Sequence, residues 1–232
     1  MKLAAVLTVK NEADIIGANL THLYTEGVAN IYIADGMSTD GTRDVLAGFP
    51  CKVYDDDSPI HRQPYWSTRL AQEAYDDGCD WVLAVDADEF WYAPSGRLIV
   101  EELATVPDHV VKVYAPMWQH LDYDYREPDP KPLPKVAFRA GDGVWVANGN
   151  HEAATTGASS VGLLAIREIQ YRGFEHFCRK IEERCATLDP SLPSYEGTHH
   201  TQYRDWSKEQ LEPVWEKLVA RATVYDPIPL RK

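Results

Sequence analysis

The sequence predicts an α/β fold with a mostly parallel central sheet flanked by helices and a mixed C-terminal half. Three observations carry that prediction. Short apolar runs alternate with amphipathic segments through residues 1–94, turn residues punctuate each change of period, and the run WVLAV at 81–85 ends directly in Asp86, Asp88 and Glu89. Parallel strands buried on both faces read as continuous apolar runs, and open α/β sheets bind ligands beyond the carboxyl ends of their strands.

The first run, LAAVLTV at Leu3–Val9, is a buried strand. Past the polar Lys10-Asn11-Glu12, residues 13–26 read as a helix with Ile15, Ile16, Leu20 and Leu23 on one face, and Gly27 closes it as a C-cap. Residues 30–34 make a second strand. The stretch DGMSTDGT at 35–42 is a turn feeding a helix through Val45 and Leu46, which Pro50 ends. A short strand at 52–54 precedes Asp55-Asp56-Asp57, and Pro64 opens a helix through Leu70, Ala71 and Ala74 to Gly78. The strand at 81–85 then completes an alternation that calls for right-handed crossovers.

After Ser95 the pattern changes. A helix at 96–105 and a strand at 109–115 lead into a loop at 117–134, where Pro128, Pro130, Pro132 and Pro134 keep the second half extended and out of any central strand. Residues 135–139 and 143–147 read as a hairpin around Gly141-Asp142, 163–169 as a strand, 174–188 as a helix and 207–225 as a terminal helix. There is no internal repeat, and the 232 residues read as one domain.

Composition narrows the function. The formal net charge is −13 with no basic block, so binding to a nucleic-acid backbone or to anionic lipid is not expected. No apolar stretch is long enough to cross a bilayer, and the N-terminal apolar run is too short for a signal-peptide core. The expectation is a mature chain starting at Met1 in the cytoplasm. The four cysteines, Cys51, Cys79, Cys178 and Cys185, show no metal-site spacing and read as reduced thiols; Cys178 and Cys185 lie two turns apart on one helix, a poor geometry for a bridge.

The acidic strand end carries the chemistry. Desolvating a carboxylate costs several kcal/mol in order of magnitude unless a cation or strong donors meet it, so three together suggest a divalent metal that carries a phosphate ligand. Three loops follow strands of the same sheet and should converge: Lys10-Asn11-Glu12, residues 35–42, and Asp86-Ala87-Asp88.

The order TVKNE, then ADGMSTDGT, then a tryptophan-led strand ending in DADEFW resembles the family 2 glycosyltransferases and their relatives with the GT-A fold. The resemblance covers roughly the first hundred residues. It implies a metal-dependent enzyme that moves a hexose-like sugar from a nucleoside diphosphate, UDP in the first instance, to an acceptor hydroxyl on a glycan or small molecule, with inversion. Residues 1–94 would hold the nucleotide sugar and residues 95–232 the acceptor. Asn11, Glu12 and Asp35 would line the nucleoside pocket, Asp86 would reach the ribose or a metal-bound water, and Asp88 would bind the metal. Oxygen ligands favour Mn2+ or Mg2+ over zinc. The competing structural role, an Asx-type turn capping the next helix, is the better account of Asp40 and Ser38.

The segment VWVANGNHEA at 144–153 supplies a second set. His151 follows a turn and is a third metal candidate beside Asp86 and Asp88, with a surface or capping histidine as the equal alternative. An inverting transfer needs a carboxylate to take the acceptor proton; Glu152 is the first candidate, with Asp122 and Asp124 behind it. Adjacent residues on a strand face opposite ways, so His151 and Glu152 share one site only if the backbone turns there.

Arg62 lies where related enzymes place donor contacts and can pair with a phosphate, although a solvated helix lead-in with His61 and Gln63 accounts for it as well. The stretch YRGFEHFCRK at 171–180 resembles a later family motif, making Arg172 and Lys180 phosphate candidates against a solvated helix face. The histidine expected of that motif falls at Glu168, so His151 or His176 would take its part. Trp118, His120, Tyr123, Tyr125 and Arg126 would sit over the sugar, with core packing the better account of Trp118. His199-His200 reads as a solvated pair.

Three rivals remain at this level. A sugar nucleotidyltransferase would want a glycine-rich basic loop where Lys10-Asn11-Glu12 stands. A non-catalytic nucleotide-sugar or carbohydrate-binding module on the same fold would keep the pocket without turnover. A nucleic-acid-modifying transferase is opposed by the charge of −13.

Overall fold

The computed structural model describes residues 1–60, 62–187 and 201–229. Its elements run β1 (Leu3–Val9), α1 (Ile16–Thr25), β2 (Val28–Asp35), α2 (Thr42–Leu46), β3 (Lys52–Asp55), α3 (Gln63–Asp76), β4 (Trp81–Val85), β5 (Glu89–Tyr92), α4 (Ile99–Ala104), β6 (Val110–Ala115), β7 (Met117–Gln119), β8 (Tyr125–Arg126), β9 (Lys135–Arg139), β10 (Trp145–Val146), a 3-10 turn (Asn148–Asn150), β11 (Ala153–Ala154), β12 (Ala158–Val161), β13 (Ala165–Glu168), α5 (Phe174–Thr187), α6 (Lys208–Val219) and β14 (Val224–Tyr225).

Seven strands form the central sheet in the order β12-β6-β9-β4-β1-β2-β3. β3, β2, β1 and β4 are parallel, joined by the helices that the sequence placed between them, while β9 enters antiparallel between β4 and β6. Along β1, side chains alternate between two cores. Leu3, Ala5, Leu7 and Val9 pack with Ile16, Leu20 and Leu23 of α1 and Ile99 and Leu103 of α4, whereas Ala4 and Val6 meet Trp66, Leu70, Ala71 and Ala74 of α3. Double burial of this kind is why the strands read as unbroken apolar runs. Gly27, at φ +89°, lies where an added Cβ would come within 2.2 Å of Val100 Cγ1, so the turn after α1 accepts no side chain.

The order reverses between β1 and β4, whose neighbours on their outer sides are β2 and β9. Such a switch point opens a crevice beyond the strand ends, and the loops after β1 and β4 carry Glu12 and Asp88 there.

The second half departs from the sequence reading in several places. Residues 135–139 and 143–147 are not a hairpin: β9 pairs with β4 and β6, and β10 pairs with β11. Phe138 and Val136, fully buried, draw β9 into the sheet, an advantage that outweighs the local turn signal at Gly141-Asp142. The terminal helix is α6 alone, with Val224 and Tyr225 pairing instead with β8. The loop at 117–134 contains two short strands, and β13 makes a separate three-stranded sheet with β5 and β7. β5 begins at Glu89, so the acidic tip is a tight turn between two strands and not the start of a long loop. α5 and α6 pack through Phe177, Cys178 and Ile181 against Leu211, Val214 and Leu218. None of the four cysteines is joined in a disulfide.

Candidate active site

A cavity of about 1170 Å³ opens beyond the ends of β1 and β4. Of the site residues singled out in the sequence, Glu12, Arg62, Asp86, Asp88 and His151 line it; Asn11, Asp35, Arg172 and Glu152 do not.

The two aspartates at the β4 tip have different surroundings. Asp86 is fully engaged: Gln63 Nε2 donates to Oδ1 at 2.8 Å, Asn150 Nδ2 donates to the same oxygen at 3.2 Å, and Lys135 Nζ lies 2.5 Å from Oδ2. Asp88 is 7% exposed and makes no side-chain hydrogen bond or ion pair among the described residues. Its charge lies near Lys180 and Arg172 on one hand and Glu12 and Glu168 on the other. A carboxylate left on a cavity wall in this way suits a hard cation.

Lys135 was not read from the sequence. The residue is 3% exposed, and its ammonium sits 2.8 Å from Glu89 Oε1 as well as against Asp86. Burial works against its charge, but the two carboxylates prevail and raise its pKa, so the ammonium stays protonated. Glu89 is wholly buried and its pKa is pushed up to about 8 by burial, against the pull of Lys135. Its Oε2 accepts from the Asp86 backbone N–H at 3.1 Å and from Trp91 Nε1 at 3.2 Å, which fixes the tip from behind. A lysine opening the apolar strand KVAFR was the one signal available for this role.

His151 Nδ1 lies 2.8 Å from the Pro134 carbonyl; since a carbonyl only accepts, Nδ1 carries the proton and donates it. Burial, with Lys135 nearby, lowers its pKa, so the ring is neutral at pH 7 and Nε2 keeps its lone pair. Gly149, at φ +73°, allows this placement, because a Cβ there would lie 2.6 Å from His151 Cδ2. Among the described residues no three His, Cys, Asp or Glu side chains converge into a preformed metal site. Asp86, Asp88 and His151 therefore line one cavity without making a closed ligand set.

Glu12 is 5% exposed, accepts from Arg172 Nη2 at 2.6 Å and pairs with Lys180. Burial raises its pKa against those two cations. Arg172 also binds Asp14, at 2.6 Å, so it ties the start of α5 to the loop after β1. Asp35 is buried behind the cavity wall, accepting from Ser38 Oγ at 2.5 Å, with Arg43 at 3.6 Å. Asn11, at φ +55°, accepts at Oδ1 from the Thr39 N–H and donates to Glu183. Asp40 forms an Asx-type turn one residue before Gly41, the N-cap of α2, accepting from Thr42 N and from Ala13 N at 3.0 Å each. Arg62 pairs with Asp56 and stacks 5.3 Å from the centre of the Tyr65 ring.

Glu152 points away from the cavity. Lys112 Nζ lies 2.8 Å from Oε1, and Tyr114 donates to Oε2 at 2.5 Å. Burial alone would raise its pKa, yet these donors hold it below the usual carboxylate range. The backbone turn needed to bring Glu152 beside His151 is not made. Asp122 accepts from the amides of Asp124 and Tyr125, and neither aspartate lines the cavity. Glu127, Asp129 and Glu168 do line it, and of these Glu168 is the buried one, 6% exposed and paired with Lys131; burial raises its pKa. Of the aromatic loop, Trp118 is half-buried, with the Arg126 guanidinium 5.2 Å from its ring centre, and His120 is buried, its Nε2 2.9 Å from the Asp226 carbonyl. Gln119 and Leu121 line the cavity in their place. His61 and His199-His200 lie outside the described residues.

No family model matches the chain, and no curated protein does. Solved structures do. TarS from S. aureus, residues 1–349, superposes with a TM-score of 0.53 at 13% identity over 94% of this chain and 79% of that one. The chain has the GT-A fold. A longer GT-A structure, also of S. aureus TarS, gives 0.48 at 14% identity over 82% of this chain and 41% of that one. Mannosyl-3-phosphoglycerate synthase from Rubrobacter xylanophilus gives 0.38 at 23% identity, covering 50% and 40%. Glucosyl-3-phosphoglycerate synthase from Mycobacterium tuberculosis, solved with Mn2+, UDP and glucosyl-3-phosphoglycerate, gives 0.35 at 17% identity, covering 51% and 44%. The chain thus spans 40% and 41% of the lengths of the synthase from R. xylanophilus and the longer TarS.

Proposed function

We propose that the chain is a glycosyltransferase that moves a sugar from a nucleoside diphosphate, UDP by preference, to an acceptor hydroxyl in the cavity around Asp88. The observation that carries this reading is the pairing at the β4 tip: Asp86 neutralised by Lys135, and Asp88 buried on the cavity wall with no side-chain hydrogen bond or ion pair among the described residues. Residues 1–94 would hold the donor and residues 95–232 the acceptor, an arrangement supported by the switch point between β1 and β4.

Asp88, with His151 through Nε2, would hold Mn2+ or Mg2+, and diphosphate oxygens and water would complete the shell. When bound, the cation supplies charge that offsets the departing diphosphate. The chain's own part is to position. Lys10, exposed on the cavity wall and without an ion pair among the described residues, is available to a phosphate, while Glu12 holds Lys180 against the same wall and Arg172 behind it. Asp86, locked by Gln63 and Lys135, keeps the tip in one geometry.

The test is thermal unfolding with UDP and Mn2+, followed by release of UDP from UDP-sugars. A shift with both ligands, lost in Asp88→Ala, is the expected result. No shift with any nucleotide, or an unchanged shift in Asp88→Ala, would remove the proposal.

A further inference from the structure

We propose that the acceptor half of the cavity receives a neutral, amphipathic acceptor, an uncharged hydroxyl-bearing ring with an apolar appendage, in preference to a phosphorylated or carboxylated one. This rests on the glycosyl-transfer reading above and extends it to the class of acceptor. The far wall of the cavity is built from the proline-rich stretch after β8, from Leu121, and from Leu218 of α6. Pro128, Pro132 and Leu133 face it, and Leu133 is 58% exposed, a large apolar side chain left at the mouth. Proline fixes φ along this stretch, so the wall is set before a ligand arrives.

Charge excludes the alternative. Among the described residues the cations of that wall are matched: Lys131 pairs with Glu168 and reaches Gln170 Oε1 at 3.2 Å, Arg221 Nη2 lies 2.8 Å from Glu127 Oε2, and Arg184, which also lines the cavity, is engaged as well. Asp129, on the same stretch, has no cation among the described residues. Lys135 and Lys180 are held by Asp86, Glu89 and Glu12. Lys10, which is without an ion pair among the described residues, follows β1 and lies against Gly36, at the donor end. An anionic acceptor would shed its hydration on the proline wall and find, among the described residues of that wall, no uncommitted cation to replace it. An apolar appendage meets Leu133 and the prolines and gains from leaving water.

Calorimetry on the whole chain, with UDP and Mn2+ present, tests this with octyl β-glucoside below its micelle concentration, methyl β-glucoside and glucose 6-phosphate. The octyl compound should bind at least about tenfold more tightly than the methyl one. Glucose 6-phosphate should bind no better than methyl glucoside, and Leu133→Asp, at an exposed position that leaves Tm unchanged, should abolish the octyl advantage. Equal affinity of the octyl and methyl compounds, absence of binding by both included, overturns the inference, as does tighter binding of the phosphate ester or an octyl advantage that survives Leu133→Asp. The underlying reading fails by a different readout, the absence of any thermal shift with UDP and Mn2+.

Discussion

Lys135 brings a buried ammonium to 2.5 Å from Asp86 Oδ2, across from the first residue of β9 to the tip of β4. One aspartate of the tip is thereby neutralised within the fold, and the other is left to the cavity.

The two aspartates should respond differently to removal. Asp88→Ala should leave Tm nearly unchanged, since no hydrogen bond is lost, and should abolish the stabilisation by UDP with Mn2+. Asp86→Ala should lower stability by about 1–3 kcal/mol, because Gln63, Asn150 and Lys135 lose their acceptor. Urea unfolding of both variants, read beside nucleotide thermal shifts, distinguishes the two roles.

Lys135→Met should cost about 3–5 kcal/mol by stranding Glu89 and Asp86 together. Glu89 has its pKa raised to about 8, and loss of the ammonium raises it further. A carboxyl whose folded pKa is raised binds more protons in the folded state, so the variant should regain stability as pH falls from 8 toward 5. Denaturant midpoints across that range are the measurement; a midpoint that falls steadily with acidity would contradict it.

Glu168→Gln should reduce transfer far more than Glu152→Gln, by at least about a hundredfold in kcat if a carboxylate on the cavity wall takes the acceptor proton. Glu168 lines the cavity, and Glu152 is bound to Lys112 and Tyr114 outside it. Steady-state kinetics on the two variants checks this, with comparable losses counting against it.

His176 should set the acid limit of the fold. It is 5% exposed, its Nδ1 accepts from the Arg172 N–H at 3.3 Å, and burial with the nearby Arg172 and Lys180 lowers its pKa to about 3. The unfolded chain protonates this ring near pH 6.5, so stability is full above that value and is lost as pH falls toward 3. The slope approaches about 1.4 kcal/mol per pH unit from this one group. His176→Gln should flatten the slope in chemical denaturation between pH 6 and 4.

The parallel half was legible because its strands are buried on both faces: Leu3–Val9 and Trp81–Val85 have the bounds that their apolar runs indicate. The second half was not, because pairing there is decided at long range. The turn signal at Gly141-Asp142 is local, whereas β9 is claimed by β4 and β6 through Phe138 and Val136. At the site, the strand-end rule located Asp86, Asp88 and Glu12 on one cavity, and the alternation rule correctly made Glu152 conditional on a turn. Lys135, Gln63 and Glu168 escaped because each acts through a partner far away in sequence. A lysine at the head of an apolar strand and a glutamine beside a helix-opening proline acquire meaning only once Asp86 stands between them.

Gln63 donates to Asp86 Oδ1 and accepts from the Gly149 N–H, both at 2.8 Å. A single amide thus welds the first turn of α3 to the acidic tip and to the bend that aims His151. Loss of that one side chain would therefore untie all three segments at once, whereas the proline stretch on the opposite wall has its own anchor, Lys131 to Glu168.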